Sequence, residues 1–305
     1  MDSAGIEPRP GEAVAVGPGL RRVLAPNPGP MTHRGTNTYL VGTEGLAVID
    51  PGPDDPAHLA AILAAVGRGK RISHILVTHA HRDHSPLARR LAEATGAPVL
   101  AFGDAAAGQS AAMRALVDGG MTGGGEGVDT GFRPDAALAD GELVEGEGWA
   151  IRAVWTPGHM GNHLTFLWGD AAFTGDLVMG WATSLISPPD GDLTDFLASC
   201  ARLRALAPGR LWPGHGDAVD DPLARIDALV AHRRGREAQI LAALAAGPRS
   251  PAALAAAVYA DTPPALLPAA SRNVLAHLID LAGRGLVAAD PAPGPDAVFA
   301  LTRAL

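Results

Sequence analysis

Residues 72–86 read Ile72-Ser73-His74-Ile75-Leu76-Val77-Thr78-His79-Ala80-His81-Arg82-Asp83-His84-Ser85-Pro86. The first six form a short, mainly apolar run, the composition of a buried strand. Ser85 followed by Pro86 reads as a helix N-cap with proline in the first turn. The spacing therefore predicts a helix over Leu87 to Thr95 that starts directly after His84 and closes at Gly96. Between strand and helix, four potential metal donors, His79, His81, Asp83 and His84, occupy six positions. In extended backbone His79 and His81 point the same way, because side-chain direction repeats every two residues. Asp83 and His84 fall where the chain turns, and can face a second centre about 3.5–4 Å from the first. The isolated histidines His58, His74, His232 and His277 read instead as surface residues or hydrogen-bonded core residues.

The same local grammar recurs further along. Thr156-Pro157-Gly158-His159 follows an apolar run ending at Trp155, Gly175-Asp176 follows Ala171 to Thr174, and Pro213-Gly214-His215-Gly216 follows Leu211-Trp212. Each time an apolar strand ends, a glycine permits a tight turn, and a donor is presented at the strand end. Ligands of open α/β sheets gather outside the carboxyl ends of strands, so these separate ends can converge on one crevice.

Apolar runs and turn residues alternate from about residue 12 to residue 216, which argues for an α/β domain. Its strands are expected at Thr38–Val41, Leu46–Ile49, Ile72–Val77, Pro98–Phe102, Ala150–Trp155, Leu164–Trp168, Ala171–Thr174 and Arg210–Trp212. Residues Gly119 to Gly127 hold six glycines in nine positions and are expected to form a mobile surface loop without chemistry. One long helical pattern over Pro222 to Ala246 leads out of the first domain, dividing the chain into 1–221 and 222–305. Helices over Ser250–Tyr259 and Pro268–Gly283, then short strands around Leu286–Ala288 and Val298–Leu301, follow the order of a winged helix. The second of these helices offers only Arg272, His277 and Arg284 among apolar neighbours, so the module reads as packing or pocket-shaping rather than DNA-reading.

The 305 residues carry 24 Lys and Arg against 32 Asp and Glu, a net charge of −8. No general basic field exists to hold a polyanion; nucleic acid is a possible partner but not the favoured one. One cysteine, Cys200, permits no intramolecular disulfide and no Cys-x-x-Cys site, so any metal must sit on histidine and carboxylate. Cys200 lies in a helical pattern from Phe196 to Leu206 and is expected to be packed. Met1 to Pro8 lacks a basic and apolar leader pattern, and no apolar run reaches membrane-spanning length, so a cytoplasmic protein without membrane partner is expected. Oligomeric state is not readable from the sequence.

His79-x-His81-x-Asp83-His84, His159, Asp176 and His215 resemble the metal motif of the metallo-β-lactamase-fold hydrolase superfamily, and the resemblance covers about residues 25–216. The opening Asn27-Pro28-Gly29-Pro30, Gly35-Thr36-Asn37-Thr38-Tyr39-Leu40 and the winged-helix-like tail are similar to the branch of lactamase-β-like endoribonucleases and acyl-thioesterases, with hydroxyacylglutathione hydrolases more distant. The resemblance implies an αββα sandwich with a small C-terminal winged-helix-like domain. It implies that His79, His81 and His159 hold one divalent cation, that Asp83, His84 and His215 hold a second, and that Asp176 bridges them. Zinc suits this donor set, although iron or manganese occurs in relatives. Asp50 and His163 are expected to orient a ligand or touch substrate. A hydroxide shared by the two cations would be the nucleophile, with Asp83 accepting or steering its proton.

The favoured substrate is a small ester, thioester or lactone, with Leu177, Val178, Met179, Trp181, Leu185 and Ile186 as candidate lining of an acyl pocket. Phosphodiester or endoribonuclease cleavage is the first alternative, with Arg34, Lys70, Arg71 and Arg82 as a local basic rim. A mononuclear iron dioxygenase acting on a thiol adduct is the second.

Overall fold

The apolar runs pair into two sheets. A computed structural model describes residues 9–123 and 127–302. The first sheet holds strands β1 (Ala13–Gly17), β2 (Leu20–Leu24), β3 (Asn37–Val41) and β4 (Gly45–Ile49); then, beyond helix α1 (Pro56–Val66), β5 (Arg71–Leu76); beyond α2 (Leu87–Thr95), β6 (Val99–Ala101); and beyond α3 (Ala111–Asp118), β7 (Ala136–Ala137). They lie side by side in chain order, antiparallel from β1 to β4 and parallel from β4 to β7. The second sheet contains β8 (Leu143–Gly146), β9 (Trp149–Trp155), β10 (Leu164–Trp168) and β11 (Ala171–Gly175), and, after α4 (Leu193–Leu206), β12 (Arg210–Pro213), in the order β12-β11-β10-β9-β8.

Side-chain alternation along the strands builds the layers. On β4 and β5, Leu46, Val48 and Ile75 pack against Ile62 of α1 and Leu87 and Leu91 of α2. Their neighbours Ala47, Ile49 and Leu76 turn the other way and meet Ile151, Phe166, Phe173 and Trp212 of the second sheet. Ala172 and Leu211 face outward again, onto Phe196 and Leu203 of α4 and Ile226 of the next helix. The result is the expected αββα sandwich.

Helix α5 (Pro222–Ala245) leaves the sandwich and is followed by α6 (Pro251–Val258), a 3-10 turn at Pro264–Leu266, α7 (Leu267–Gly283) and the antiparallel hairpin β13 (Val287–Asp290) and β14 (Val298–Leu301). This unit has its own core, Ile240, Leu244, Leu254, Val274, Leu278 and Phe299. Helix α5 contributes to both cores, its first half through Ile226 and Leu229. No helix among the described residues is long and apolar enough to cross a membrane.

The eight expected strands form within a residue or two of their expected bounds. Strands β1, β2, β7 and β8 and helices α1 and α3 are additional. Edge strands β1 and β7 are half-exposed or exposed, and β7 is two alanines long, so they carry little of the signature of a buried strand. Helix α2 spans Leu87–Thr95 and closes at Gly96 as expected, but Pro86 holds the N-cap position and Ser85 does not cap it. The Ser85 hydroxyl instead contacts the His81 carbonyl oxygen at 3.2 Å and the Asp129 carboxylate at 2.9 Å. In the glycine-rich stretch, α3 ends at Gly119 and residues 124–126 lie outside the described residues, as do Met1 to Pro8. Cys200 is fully buried in α4, and burial pushes its thiol up to about 12, consistent with a packed side chain.

One turn of the fold depends on a missing side chain. Gly158, between β9 and His159, has φ +132°, and a Cβ there would fall 2.3 Å from the backbone nitrogen and Cα of Phe196 in α4. Gly158→Ala should therefore destabilise the chain by roughly 2–4 kcal/mol through backbone strain and overlap. Urea unfolding checks this, and an unchanged midpoint would contradict it.

Candidate metal centre

Donors emerge at one edge of the sandwich, from strand ends in both sheets. The Thr78–His84 loop follows β5, Gly158-His159 follows β9, Asp176 follows β11 and His215 follows β12. The edges are stitched together there: the Asn37 backbone N–H donates to the Gly214 carbonyl, and the Asn37 side chain donates to the carbonyls of Pro213 at 3.0 Å and Gly216 at 2.8 Å. The Tyr39 hydroxyl donates to the same Pro213 carbonyl at 2.8 Å. These bonds fix the loop that presents His215.

Two donor groups result among the described residues: His79 with His81 and His159, and Asp83 with His84, Asp176 and His215. In the first, His81 Nδ1 lies 3.0 Å from His79 Nε2 and 3.0 Å from His159 Nε2. In the second, His215 Nε2 lies 3.2 Å from His84 Nε2, 3.1 Å from Asp83 Oδ2 and 3.3 Å from Asp176 Oδ2. Asp176 stands between the groups, since its Oδ2 is also 3.8 Å from His159 Nε2, while its buried Oδ1 makes no hydrogen bond among the described residues. Imidazole nitrogens about 2.0–2.1 Å from a tetrahedral zinc are separated by about 3.3 Å, so this spacing fits nitrogen ligation.

Hydrogen bonds on the outward side of the rings show which nitrogen faces the centre. The His159 Nδ1–H donates to the Leu185 carbonyl at 2.8 Å, and the His215 Nδ1–H to the Gly35 carbonyl at 3.2 Å. The His84 Nδ1–H donates to Asp50 Oδ2 at 2.9 Å. Thr78 gives its hydroxyl proton to the same Asp50 oxygen at 2.8 Å, so its oxygen accepts from His79 Nδ1–H at 2.9 Å. Four rings thus aim Nε2 inward, and His81 contributes Nδ1. Asp50, at φ +51°, also accepts the Thr78 backbone N–H at 2.7 Å, holding ring and loop together.

The groups differ in charge. Burial, then the neighbouring imidazoles, holds His79 well below the ordinary histidine range. Burial alone would lower His215 too, but Asp176 and Asp83 outweigh it and push the ring up to about 10. His84 is likewise raised, against burial, by Asp83, Asp176 and Asp50. Asp83 is brought down to about 2 by His84 and His215 although burial opposes this, and Asp176 lies well below the carboxylate range for the same reasons. Without a cation, protons hold the second group together.

His163 is fully buried behind this assembly, its ring 5.1 Å from that of His79. Its Nδ1 meets the Thr156 hydroxyl at 3.0 Å, and its Nε2 has no hydrogen-bond partner among the described residues. Three expectations need correction. Leu177, Val178 and Ile186 are buried against Phe196 and Leu203, so they build core rather than an acyl pocket; Trp181 alone of that set is exposed, stacked on His33 at 4.7 Å. The expected basic rim forms only in part: Lys70 and Arg71 lie at the start of β5, the sheet end opposite the donors, with Arg71 paired to Glu147, whereas Arg82 is exposed within the donor loop and Arg34, next to Gly35, pairs with Asp217. Of the isolated histidines, His58 meets the Thr38 hydroxyl at 2.8 Å, but His277 is buried with neither nitrogen hydrogen-bonded among the described residues, and burial pushes it down to about 3. Thr78, Asn37 and the Leu185 carbonyl escaped the sequence reading, because hydroxyls, amides and backbone carbonyls carry no local pattern that marks them as supports.

A two-sheet sandwich with two histidine and aspartate groups at its strand ends defines a class, the metal-dependent hydrolases. Residues 31–215 match the family described as Metallo-beta-lactamase superfamily, and residues 250–294 match the Beta-lactamase associated winged helix domain. The chain belongs to the metallo-β-lactamase superfamily. It is 32% identical over 276 residues to the Beta-lactamase-like protein 2 homolog of Drosophila melanogaster, covering 87% of this chain and 88% of that one. It is 29% identical over 244 residues to the Atrochrysone carboxyl ACP thioesterase of Aspergillus fumigatus, covering 76% of this chain and 67% of the relative. Among solved structures, a β-lactamase domain protein from Burkholderia ambifaria superposes with TM-score 0.80 at 24% identity, over 98% of this chain and 96% of that one. A metallo-β-lactamase family protein from Thermus thermophilus gives 0.74 at 25% identity, over 94% and 100%.

Because His215 keeps its proton up to about 10, a cation entering the second group must displace it. Apparent affinity at that site should rise with pH from the acid side as His215 and His84, both raised, give up their protons. Titration calorimetry with zinc near pH 7.5, in buffers of unequal ionisation enthalpy, should show proton release; a heat independent of buffer would contradict this.

Proposed function

We propose that this chain is a dinuclear hydrolase, with zinc as its metal, acting on a small ester, thioester or lactone. Residues 1–221 form the catalytic unit in this reading, and 222–305 the linker helix and winged-helix-like unit. His79, His81 and His159 would hold one cation, Asp83, His84 and His215 the other, and Asp176 both. The observation that carries the reading is the position of Asp176, with one carboxylate oxygen 3.3 Å from His215 Nε2 and 3.8 Å from His159 Nε2.

When bound, such cations lower the pKa of water toward neutrality and polarise the scissile carbonyl. The protein's own part is orientation and proton handling. Asp83 is the most solvent-accessible of the seven donors and is ionised, so it is suited to steer or accept a proton from the attacking water. Asp50 fixes His84 and the Thr78 loop, and His163 packs behind His79. In this reading water is the nucleophile and no covalent intermediate forms; the chain's one cysteine is buried in α4.

A thioester is the preferred member of the substrate class, supported by the thioesterase among the relatives. Phosphodiester cleavage is weakened because Lys70 and Arg71 lie at the far sheet end and Arg34 is paired with Asp217, which leaves Arg82 of the four expected cations, and a mononuclear iron site would leave the second donor group unused. We propose a cytoplasmic location, with which a chain that builds its core without disulfides is compatible.

The zinc-loaded chain should bind two ions and hydrolyse a generic acyl thioester faster than bis-p-nitrophenyl phosphate. Asp176→Ala should lower turnover at least about 100-fold and reduce the bound metal. Preference for the phosphodiester would overturn the substrate class; full activity in Asp176→Ala would overturn the two-metal reading.

A further inference from the structure

The ring of His159 is held by the Leu185 carbonyl, and Leu185 lies in a stretch, residues 179–187, that belongs to neither helix nor strand. Backbone groups of such a stretch cannot be satisfied by a sheet neighbour and must find side chains or solvent. Here the partners come from the helices beyond the sandwich. Arg225 of α5 donates to the carbonyls of Met179, at 2.6 Å, and Ala182. Arg233, two turns further along α5, donates to the Ser184 carbonyl. Asn273 of α7 accepts the Ile186 backbone N–H at 3.0 Å, and the same amide oxygen accepts from Arg233 Nη1 at 3.0 Å. Arg272 of α7 reaches the Ser187 hydroxyl at 3.1 Å.

The bonds on either side of Leu185 are therefore made by one connected pair. Arg233 holds Ser184, Asn273 holds Ile186, and Arg233 and Asn273 hold each other. Arg233 is 2% exposed and has no carboxylate partner among the described residues; it donates to this carbonyl and this amide. A buried cation with neutral acceptors only is costly, and its Nε has no partner among the described residues, so the bonds of its two terminal nitrogens to Asn273 and Ser184 are what offset its burial.

We propose that Arg233 and Asn273 are positioning residues that act through Leu185 on His159, so that the C-terminal helices set the affinity of the first cation site. The proposal rests on the dinuclear hydrolase reading. It gives the C-terminal unit a part in the metal centre that neither its apolar core nor its fold suggests. The pair touches no reacting atom. Its effect is to keep the Leu185 carbonyl where the His159 Nδ1–H can donate to it, leaving Nε2 aimed inward.

The test uses the full chain, stripped of metal and titrated with zinc against a chromophoric chelator, with the visible spectrum of the cobalt-substituted protein as a second readout. Asn273→Ala should weaken one of two zinc ions by at least about tenfold, leave the other unchanged and alter the cobalt spectrum. Asn273→Asp keeps an acceptor oxygen for both Ile186 and Arg233 and should restore the affinity. Thr194→Val removes a different bond between α4 and α7, the 2.6 Å contact with Asp280, and should leave both ions unaffected. Should Asn273→Ala not fold, Asn273→Gln, which displaces the amide by one methylene, must show the same loss at one site. Unchanged affinities in the folded Asn273 variants, or an equal loss in Thr194→Val, would overturn the brace alone. A wild-type chain that takes up no cation would overturn the hydrolase reading and the brace with it.

Discussion

Nitrogen lone pairs and carboxylate oxygens that face one another across about 3 Å of buried space repel unless positive charge lies among them. This chain brings five imidazoles and two carboxylates into that arrangement. The outward nitrogens of four rings are already committed to a carbonyl, a hydroxyl or Asp50, so the inward ones have little freedom to turn away. A positive species must compensate them: protons in the bare chain, or bound metal in the proposed reading. The separate electrostatics of the two groups follow from this, one made of imidazoles alone and the other of imidazoles facing carboxylates.

Such a concentration of donors has to be imposed by the rest of the fold. Strand ends from both sheets deliver the residues, and a core shared between the sheets, built from Ile49, Leu76, Phe166 and Phe173, keeps those ends in register. Loops too short to wander then present the side chains. Gly158 allows α4 to press against the turn that carries His159, while Asn37 and Tyr39 tie the His215 loop to β3. The C-terminal helices join this scheme through the 179–187 stretch, which makes them part of the centre's support rather than an appended module.

Much of this was legible in the sequence because the information is local. His79 to His84 lie in one loop bounded by an apolar strand and a helix, and His159, Asp176 and His215 each follow an apolar strand and a glycine. The supports were not legible, for a physical reason. The Leu185 carbonyl is invisible at the level of residue type, and Asn273 acts across 87 residues of chain on Ile186. Lys70 and Arg71 misled in the opposite sense: close to the motif in sequence, they are carried by β5 to the far end of the sheet. The apolar stretch after Asp176 misled because a pocket lining and a core wall have the same composition, and only packing against α4 and α5 tells them apart.

The most direct test is a crystal structure of the zinc-loaded chain with anomalous scattering recorded at the zinc edge. Two peaks are expected. One should lie about 2.0–2.1 Å from nitrogens of His79, His81 and His159, the other equally close to His84 and His215 with Asp83 beside it, and the Asp176 carboxylate should touch both. A single peak, or peaks away from these seven side chains, would contradict the two-metal reading.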